Sequence, residues 1–338
     1  MKKTLFFWMM CLGIGFMYSQ PRVSLEHNGT TTIFVGNSAL VSAYNAAADG
    51  DFIYLPGGTF EVPSFDKKVT IIGAGVFPNA TTTTGKTFLN GVITFFDNAD
   101  GLSLEGVEVT GSLNFAYNLS INNVVIKRCV INGDVNFSGN LLNATNFSFI
   151  ENVLRGSLNL PNLETGLFSN NIIQGVVRDS SGNMFQNNIF LHNDCGYYGN
   201  VALITGSNNT FQNNIFNRQC DNFVGGTGNR FLKNIFVMTA SSFGTTPTLT
   251  GNYMNVSYPT VFFNQTGVSF EYEQDYHLQT PATYLGVDGS EVGVFGGQFP
   301  FKIQLIPENP HISVKNINPT TNSSGELQIE IKAEAQNY

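Results

Sequence analysis

The chain has 338 residues, of which 16 are basic and 24 acidic, for a formal net charge of −8. Charged residues make up only 12% of it and aromatic residues 13%, with 30 Phe and 35 Gly, so a disordered chain is excluded and a folded, apolar-cored, turn-rich one is expected. The acidic balance argues against nucleic acid and anionic lipid as partners.

Lys2 and Lys3 precede an apolar run, Leu5–Met17, followed by Tyr18-Ser19-Gln20. That layout predicts a secretory signal peptide over residues 1–19. The run is short of the ~20 residues a membrane span requires, so no span is expected. Removal of Lys2 and Lys3 leaves 14 basic against 24 acidic residues, net −10. The expected location is outside the cytoplasm: periplasm, cell surface or medium.

Asn37–Asp51 predicts a helix over about residues 38–49, with Ser38 as cap, Leu40, Val41 and Tyr44 on one apolar face, and Gly50 as stop. Two apolar segments follow, F-I-Y-L-P-G-G-T-F (52–60) and V-T-I-I-G-A-G (69–75). The helix is expected to cover the open end of whatever sheet they begin, since an uncovered end invites strand pairing. Thr81–Thr87, T-T-T-T-G-K-T, fails as a phosphate loop because Ala80 stands where the first glycine belongs.

A second pattern begins at glycines: G-V-I-T-F at Gly91, G-S-L-N-F at Gly111, G-D-V-N-F at Gly133, G-S-L-N-L at Gly156 and G-V-V-R-D at Gly175. With Ile93, Leu113, Val135, Leu158 and Val177 pointing inward, alternation sends Thr94, Asn114, Asn136, Asn159 and Arg178 outward as one polar row, with Ala202 expected to end it. Ser112, Asp134, Ser157 and Asn200 are expected to form a parallel row two residues earlier.

From Phe149 to Phe236 one phrase returns five times: F-I-E-N-V-L, F-S-N-N-I-I, F-Q-N-N-I-F twice, and F-L-K-N-I-F. The returns are 19, 17, 26 and 20 residues apart, periods that indicate a solenoid. Alternating apolar residues around a fixed Asn describe two short strands meeting at a bend. The fixed residues are Asn152, Asn171, Asn188, Asn214 and Asn234, and the related phrase I-K-R-C-V-I puts Cys129 in the same slot. Stacked at the ~4.8 Å strand spacing, these amides are expected to form a ladder, each donating to the next. The ladder avoids the roughly 1–3 kcal/mol cost of a buried unsatisfied polar group.

Solenoids place function in the variable loops between coils. The two richest are Leu191–Asn200 and Asn217–Asn222, which follow their N-I-F phrases by the same distance and so are expected to stack. That brings His192 beside Arg218, and Asp194 beside Cys220. Export favours oxidation, so Cys195 and Cys220 are candidates for a disulfide, one residue out of step. Cys129 is expected to stay a buried thiol, and no spacing suggests a metal site. Beyond Tyr253 the Asn phrase fades. Pro300–Pro310 reads as a linker, and His311–Ile317 with Glu326–Ala333 around T-T-N-S-S-G as a hairpin.

The repeated Asn phrase, the G-D-x-I-x-L-P-G-G-T-F entrance and the Gln279–Gly297 segment together resemble the right-handed parallel β-helix of the pectin-lyase-like superfamily. The resemblance implies an all-β solenoid of roughly ten to twelve coils over residues 20–298, closed by a coil at Gln279–Gly297. A linker and small β appendage over residues 299–338 would cover the last coil. It also implies a polysaccharide partner and a monomer. Lyases of this superfamily pair calcium held by carboxylates with a basic residue that removes a proton beside a uronate. Carried onto this chain, that role falls to Arg178, with His192, Asp194 and Asp221 as partners and calcium as the cofactor of a lyase. None of the R-x-P-x-x-R, D-D, G-H-G or R-I-K phrases of the pectate lyases and polygalacturonases occurs. Two readings therefore stay open: a glycan-binding or structural protein using Asn114, Asn136, Asn159, Tyr197, Tyr198 and Arg218, or a polysaccharide lyase or glycoside hydrolase.

Overall fold

The computed structural model describes residues 21–116, 120–137, 144–192, 202–217, 224–237, 242–302 and 304–335. Within them the chain winds into a parallel β-solenoid of about nine turns, fewer than the ten to twelve expected. Each turn contributes one strand to each of three long sheets, of twelve, nine and eight strands among the described residues. The first sheet carries Phe149, Phe168, Phe185, Phe211 and Phe231 in direct register. The second carries the I-I or I-F pairs, and the third the strands of the glycine phrases.

The register follows from stacking like on like. Inside the coil Phe168, Phe185, Phe211 and Phe231 sit 4.7–5.0 Å apart with nearly parallel rings, as do Phe190, Phe216 and Phe236 at 4.8 and 5.0 Å. Phe95, Phe115 and Phe137 form a third column at 4.5 and 4.1 Å. Between the first and second sheets the chain turns through one left-handed residue, such as Glu151, Asn170, Asn187, Asn213 or Lys233, and then enters the Asn slot. The Asn171 amide donates to Asn188 Oδ1 at 2.9 Å and to the Phe149 carbonyl at 2.7 Å, and its own Oδ1 accepts from the Asn152 backbone N–H at 2.8 Å. The ladder extends one coil beyond expectation, to Asn252, and begins at Cys129, whose N–H donates to Asn152 Oδ1 at 2.8 Å.

A second ladder, not read from the sequence, occupies the corner between the third and first sheets. The Asn183 N–H donates to Asn209 Oδ1 at 3.0 Å, and the Asn209 N–H to Asn229 Oδ1 at 2.9 Å, all three residues being buried. Its signal was the Asn two places before each Phe, in G-N-M-F, N-N-T-F and G-N-R-F. The glycines that open the third-sheet phrases have a different cause. A Cβ on Gly133, Gly156 or Gly175 would lie 2.1–2.4 Å from an oxygen of the coil before it, so only glycine admits that approach.

The N-terminal end departs from expectation in detail. The helix runs Ala39–Ala46 and packs Leu40, Ala43 and Tyr44 inward, but Ser38 does not cap it; its hydroxyl donates to Glu61 instead. An antiparallel hairpin, Arg22–His27 with Thr30–Val35, extends the first sheet beyond Phe52–Tyr54. Asn28 and Gly29 both have positive φ, the turn that an Asn-Gly pair favours, and that dipeptide was the unread signal.

The segment Gln279–Gly297, expected as a closing coil, does not form one. It adds no strand to the three long sheets; it is part of a strap, residues 256–302 and 304–308, that runs back along the outside of the second sheet. There it covers the outward row Val130, Val153, Ile172, Ile189, Ile215 and Ile235 with Val261, Leu278, Val292, Val294 and Leu305, all buried. The left-handed corner residues hold it: Asn170 donates to the Val294 and Gly296 carbonyls at 2.8 and 2.9 Å, and Asn213 Oδ1 accepts from the Val287 N–H at 2.9 Å. The hairpin His311–Ile317 with Ile329–Glu334 forms as expected, but beside the first coils, where Thr83 donates to the Ser313 carbonyl at 3.0 Å.

Two substitutions test the ladder from opposite sides. Asn188→Ala orphans the Asn171 donors and the Phe168 carbonyl, so it is expected to cost roughly 1–3 kcal/mol for each group left unpaired, read as a lower urea midpoint. Cys129→Asn restores the repeat in a slot where the thiol already faces the Leu104 carbonyl, and the midpoint is expected to hold or rise.

Candidate functional site

The outward face of the third sheet carries the polar row expected from the glycine phrases. Asn114 pairs with Asn136, Asn136 with Asn159 and Asn159 with Arg178 across successive coils. The Asn136 amide donates to Asn114 Oδ1 at 2.9 Å, the Asn159 amide to Asn136 Oδ1 at 2.6 Å, and the Arg178 guanidinium to Asn159 Oδ1 at 3.1 Å. The three amides are half-buried and Arg178 is exposed. An asparagine amide has two N–H donors and two oxygen lone pairs. Asn136 and Asn159 each spend one donor and one lone pair on the row and keep one of each for solvent, and Asn114 spends only a lone pair.

The neighbouring row is consumed by the backbone. Ser112 Oγ accepts from the Asp134 N–H at 3.0 Å, Asp134 Oδ1 from the Ser157 N–H at 2.7 Å, and Ser157 Oγ from the Val176 N–H at 3.3 Å. These side chains brace the coil corner. Asn200, expected to continue the row, lies outside the described residues.

At Arg178 the sheet breaks register. Val177 pairs with Ile204 and Ser180 with Gly206, so one extra residue bulges out between them, and Asp179 takes φ 55°. The position following Ile204 is Thr205, which accepts from the Asp179 N–H at 3.0 Å; Thr205, rather than Ala202, continues the row. Bulges of this kind re-aim side chains at sheet surfaces. Here the bulge presents a guanidinium and a carboxylate together at the upper end of an amide row.

His192 is half-buried, two residues past Phe190. Asp194, Cys195, Tyr197, Tyr198, Arg218, Cys220 and Asp221 lie outside the described residues, and with them the two loops expected to stack and the expected disulfide. Among the described residues no group of three or more His, Cys, Asp or Glu is arranged to hold a metal ion, and no helix is long and apolar enough to cross a membrane. Burial pushes the Cys129 thiol up to about 12, which makes it a packing group rather than a nucleophile.

Two charged clusters were not read from the sequence. Arg128, 1% exposed, occupies a left-handed corner position and bonds Glu151 at 2.9 Å, Glu105 at 3.2 Å and Glu308 of the strap at 2.9 Å. Burial pushes Glu105 above the usual carboxylate range, against the pull of Lys127 and Arg128. This cluster pins the strap to the coil. The second lies at the strap's far edge, where His277 Nδ1 meets Asp275 at 2.6 Å and the imidazole stacks flat on Phe295. Burial raises Glu291, which shares that cleft with His277 and Lys302. Charged residues within the repeated phrase were the available signal for Arg128; nothing periodic marks the strap.

Compared with protein-family models, with curated proteins and with solved structures, the chain matches none.

Arg128→Ala leaves Glu151 and Glu105 without their buried cation. A loss of roughly 3–5 kcal/mol is expected in chemical denaturation, with faster proteolysis of the strap near Glu308. Arg128→Lys should not restore stability, since an ammonium cannot reach three carboxylates with the fork of a guanidinium.

Proposed function

We propose that this is a secreted, carbohydrate-directed β-helix protein that binds a glycan along the third-sheet face, in the manner of a non-catalytic relative of the pectin-lyase-like superfamily. The observation that carries the reading is the hydrogen-bonded row Asn114–Asn136–Asn159–Arg178. Its remaining donors and acceptors recur once per coil, about 4.8 Å apart. A polymer of hydroxyl-bearing units laid across the coils would meet the same pair of hydrogen-bonding groups at each step. The amides are pre-aligned by their neighbours, so little side-chain entropy is lost on binding. The Arg178 guanidinium at the end of the row supplies a charged contact for an acidic substituent.

A second reading is favoured by one feature, the bulge at Arg178 and Asp179. A left-handed, non-glycine residue beside an exposed cation is the kind of strain that collects at reactive sites. Under that reading the protein is a polysaccharide lyase or glycoside hydrolase. Arg178 acts as base or anion anchor, with Asp194, Asp221 and His192 as partners and calcium as the ion of a lyase.

Affinity electrophoresis through gels containing acidic or neutral polysaccharides, with and without calcium, separates the two. Binding predicts retardation of the mature protein by at least one polysaccharide, abolished by the double variant Asn136→Ala, Asn159→Ala with its circular dichroism unchanged. Catalysis predicts new unsaturated or reducing ends from the same polysaccharide, lost in Arg178→Ala. Retardation that survives the double variant removes the amide row from the site.

A further inference from the structure

A roomy, largely apolar space lies away from the amide row, lined by residues of the first coils, the end of the strap and the C-terminal hairpin. It holds about 760 Å³ and is walled by Leu55, Ile72 and Ile306, all buried, together with Pro56, Pro307 and Ile312. Ligand pockets commonly span about 300–1,000 Å³ with largely apolar walls and a few polar groups, so this one has the size and lining for a small molecule. Thr83 and Thr84, from the T-T-T-T-G-K-T segment that fails as a phosphate loop, form part of its wall.

Its charged lining is of one sign. Arg22 from the N-terminal hairpin, with Lys315 and His311 from the C-terminal one, all face the space, and no carboxylate lines it. That is unusual in a chain with 24 acidic and 16 basic residues. Neither Arg22 nor Lys315 forms an ion pair among the described residues. Three acids on the surrounding elements do not line the space: Glu26 bonds the Tyr54 hydroxyl, Glu308 pairs with Lys127 and Arg128, and Glu334, the cross-strand partner of His311, pairs with Lys332. His311, which stands between this space and the cleft of His277 and Glu334, has a buried Nδ1 without a hydrogen-bond partner among the described residues.

We propose that this cavity binds an amphipathic carboxylate, an acyl or aryl acid whose apolar body lies against Leu55, Ile72 and Ile306 and whose carboxylate is held by Arg22, Lys315 and His311. Apolar walls select the body, and an exposed cationic rim selects one anionic end. The guanidinium fork of Arg22 matches a carboxylate in two hydrogen bonds. The site joins elements from both ends of the chain, so it exists only when the C-terminal hairpin is docked.

The test uses the full folded chain. 8-Anilinonaphthalene-1-sulfonate, an aryl anion, reports occupancy by fluorescence, with octanoate as competitor and octanol as the neutral comparison. The expected result is one saturable site per chain, displaced by octanoate at far lower concentration than by octanol. Arg22→Glu and Lys315→Glu should each weaken octanoate at least tenfold by calorimetry. Both residues are exposed, so these variants are expected to fold, which circular dichroism checks. Lys332→Gln, a hairpin cation outside the cavity, should leave affinity unchanged. The proposal is overturned by absence of saturable octanoate binding, by equal displacement by octanol, or by charge-reversed variants that bind as tightly as the parent.

Discussion

Everything in this molecule depends on the spacing of one strand from the next. Parallel coils stacked about 4.8 Å apart leave no freedom in what may follow a given residue on the axis: each position meets its own counterpart one coil on. Phenylalanine answers that constraint by ring stacking, asparagine by an amide that donates upward while accepting from below, and glycine by leaving room for a carbonyl. The three kinds of column, Phe168 to Phe231, Asn152 to Asn252 and Gly111 to Gly175, are three solutions of one geometric problem. A polar group at a corner is tolerable inside only because its copy is next to it.

The same constraint acts outward. Alternation in the second sheet buries Ile173, Phe190 and Phe216 in the coil and turns Ile172, Ile189 and Ile215 to the outside. A bare stripe of that kind would be an association surface. The chain covers it with its own C-terminal strap, anchored through left-handed corner residues whose side chains the ladder leaves unused. Arg128 is the charged version of that anchor, and its burial is sustainable because three carboxylates surround it. With the second sheet covered, the outward side of the third sheet keeps polar groups whose hydrogen-bonding capacity is only partly used.

What could be read in advance follows the reach of the repeat. Two strands and their Asn corner were legible because Phe149–Phe236 states them five times, and the outward row was legible because alternation from Val135 or Leu158 leaves Asn136 and Asn159 no other side. The Asn183–Asn229 ladder was equally periodic and went unread because its phrases have fewer fixed neighbours. The strap was not legible. Its contacts join Val287 to Asn213 and Glu308 to Arg128 across 74 and 180 positions, and no local pattern encodes such a pairing. The hairpin near the C-terminus was visible as alternation, but its place beside Thr83 is a tertiary fact. For the candidate site the limit is similar. Asn114, Asn136 and Asn159 follow from period alone, whereas the bulge that re-aims Arg178 depends on how Ile204 enters the next coil.

The two proposed binding surfaces differ in how the fold makes them. The amide row is a by-product of regularity: it needs only that successive coils repeat, and its affinity for a polymer would grow with each coil engaged. The cavity is a product of irregularity, formed where non-repeating ends of the chain meet the first coils. A ligand there is gripped by Arg22 and Lys315, far apart in sequence, and so stabilises the docked state of the C-terminal hairpin by mass action. Loss of the strap anchor at Arg128 should therefore weaken the cavity while leaving the amide row intact. A solenoid whose coils are held by local ladders permits that separation, because each coil depends on its neighbours and only the strap depends on the whole.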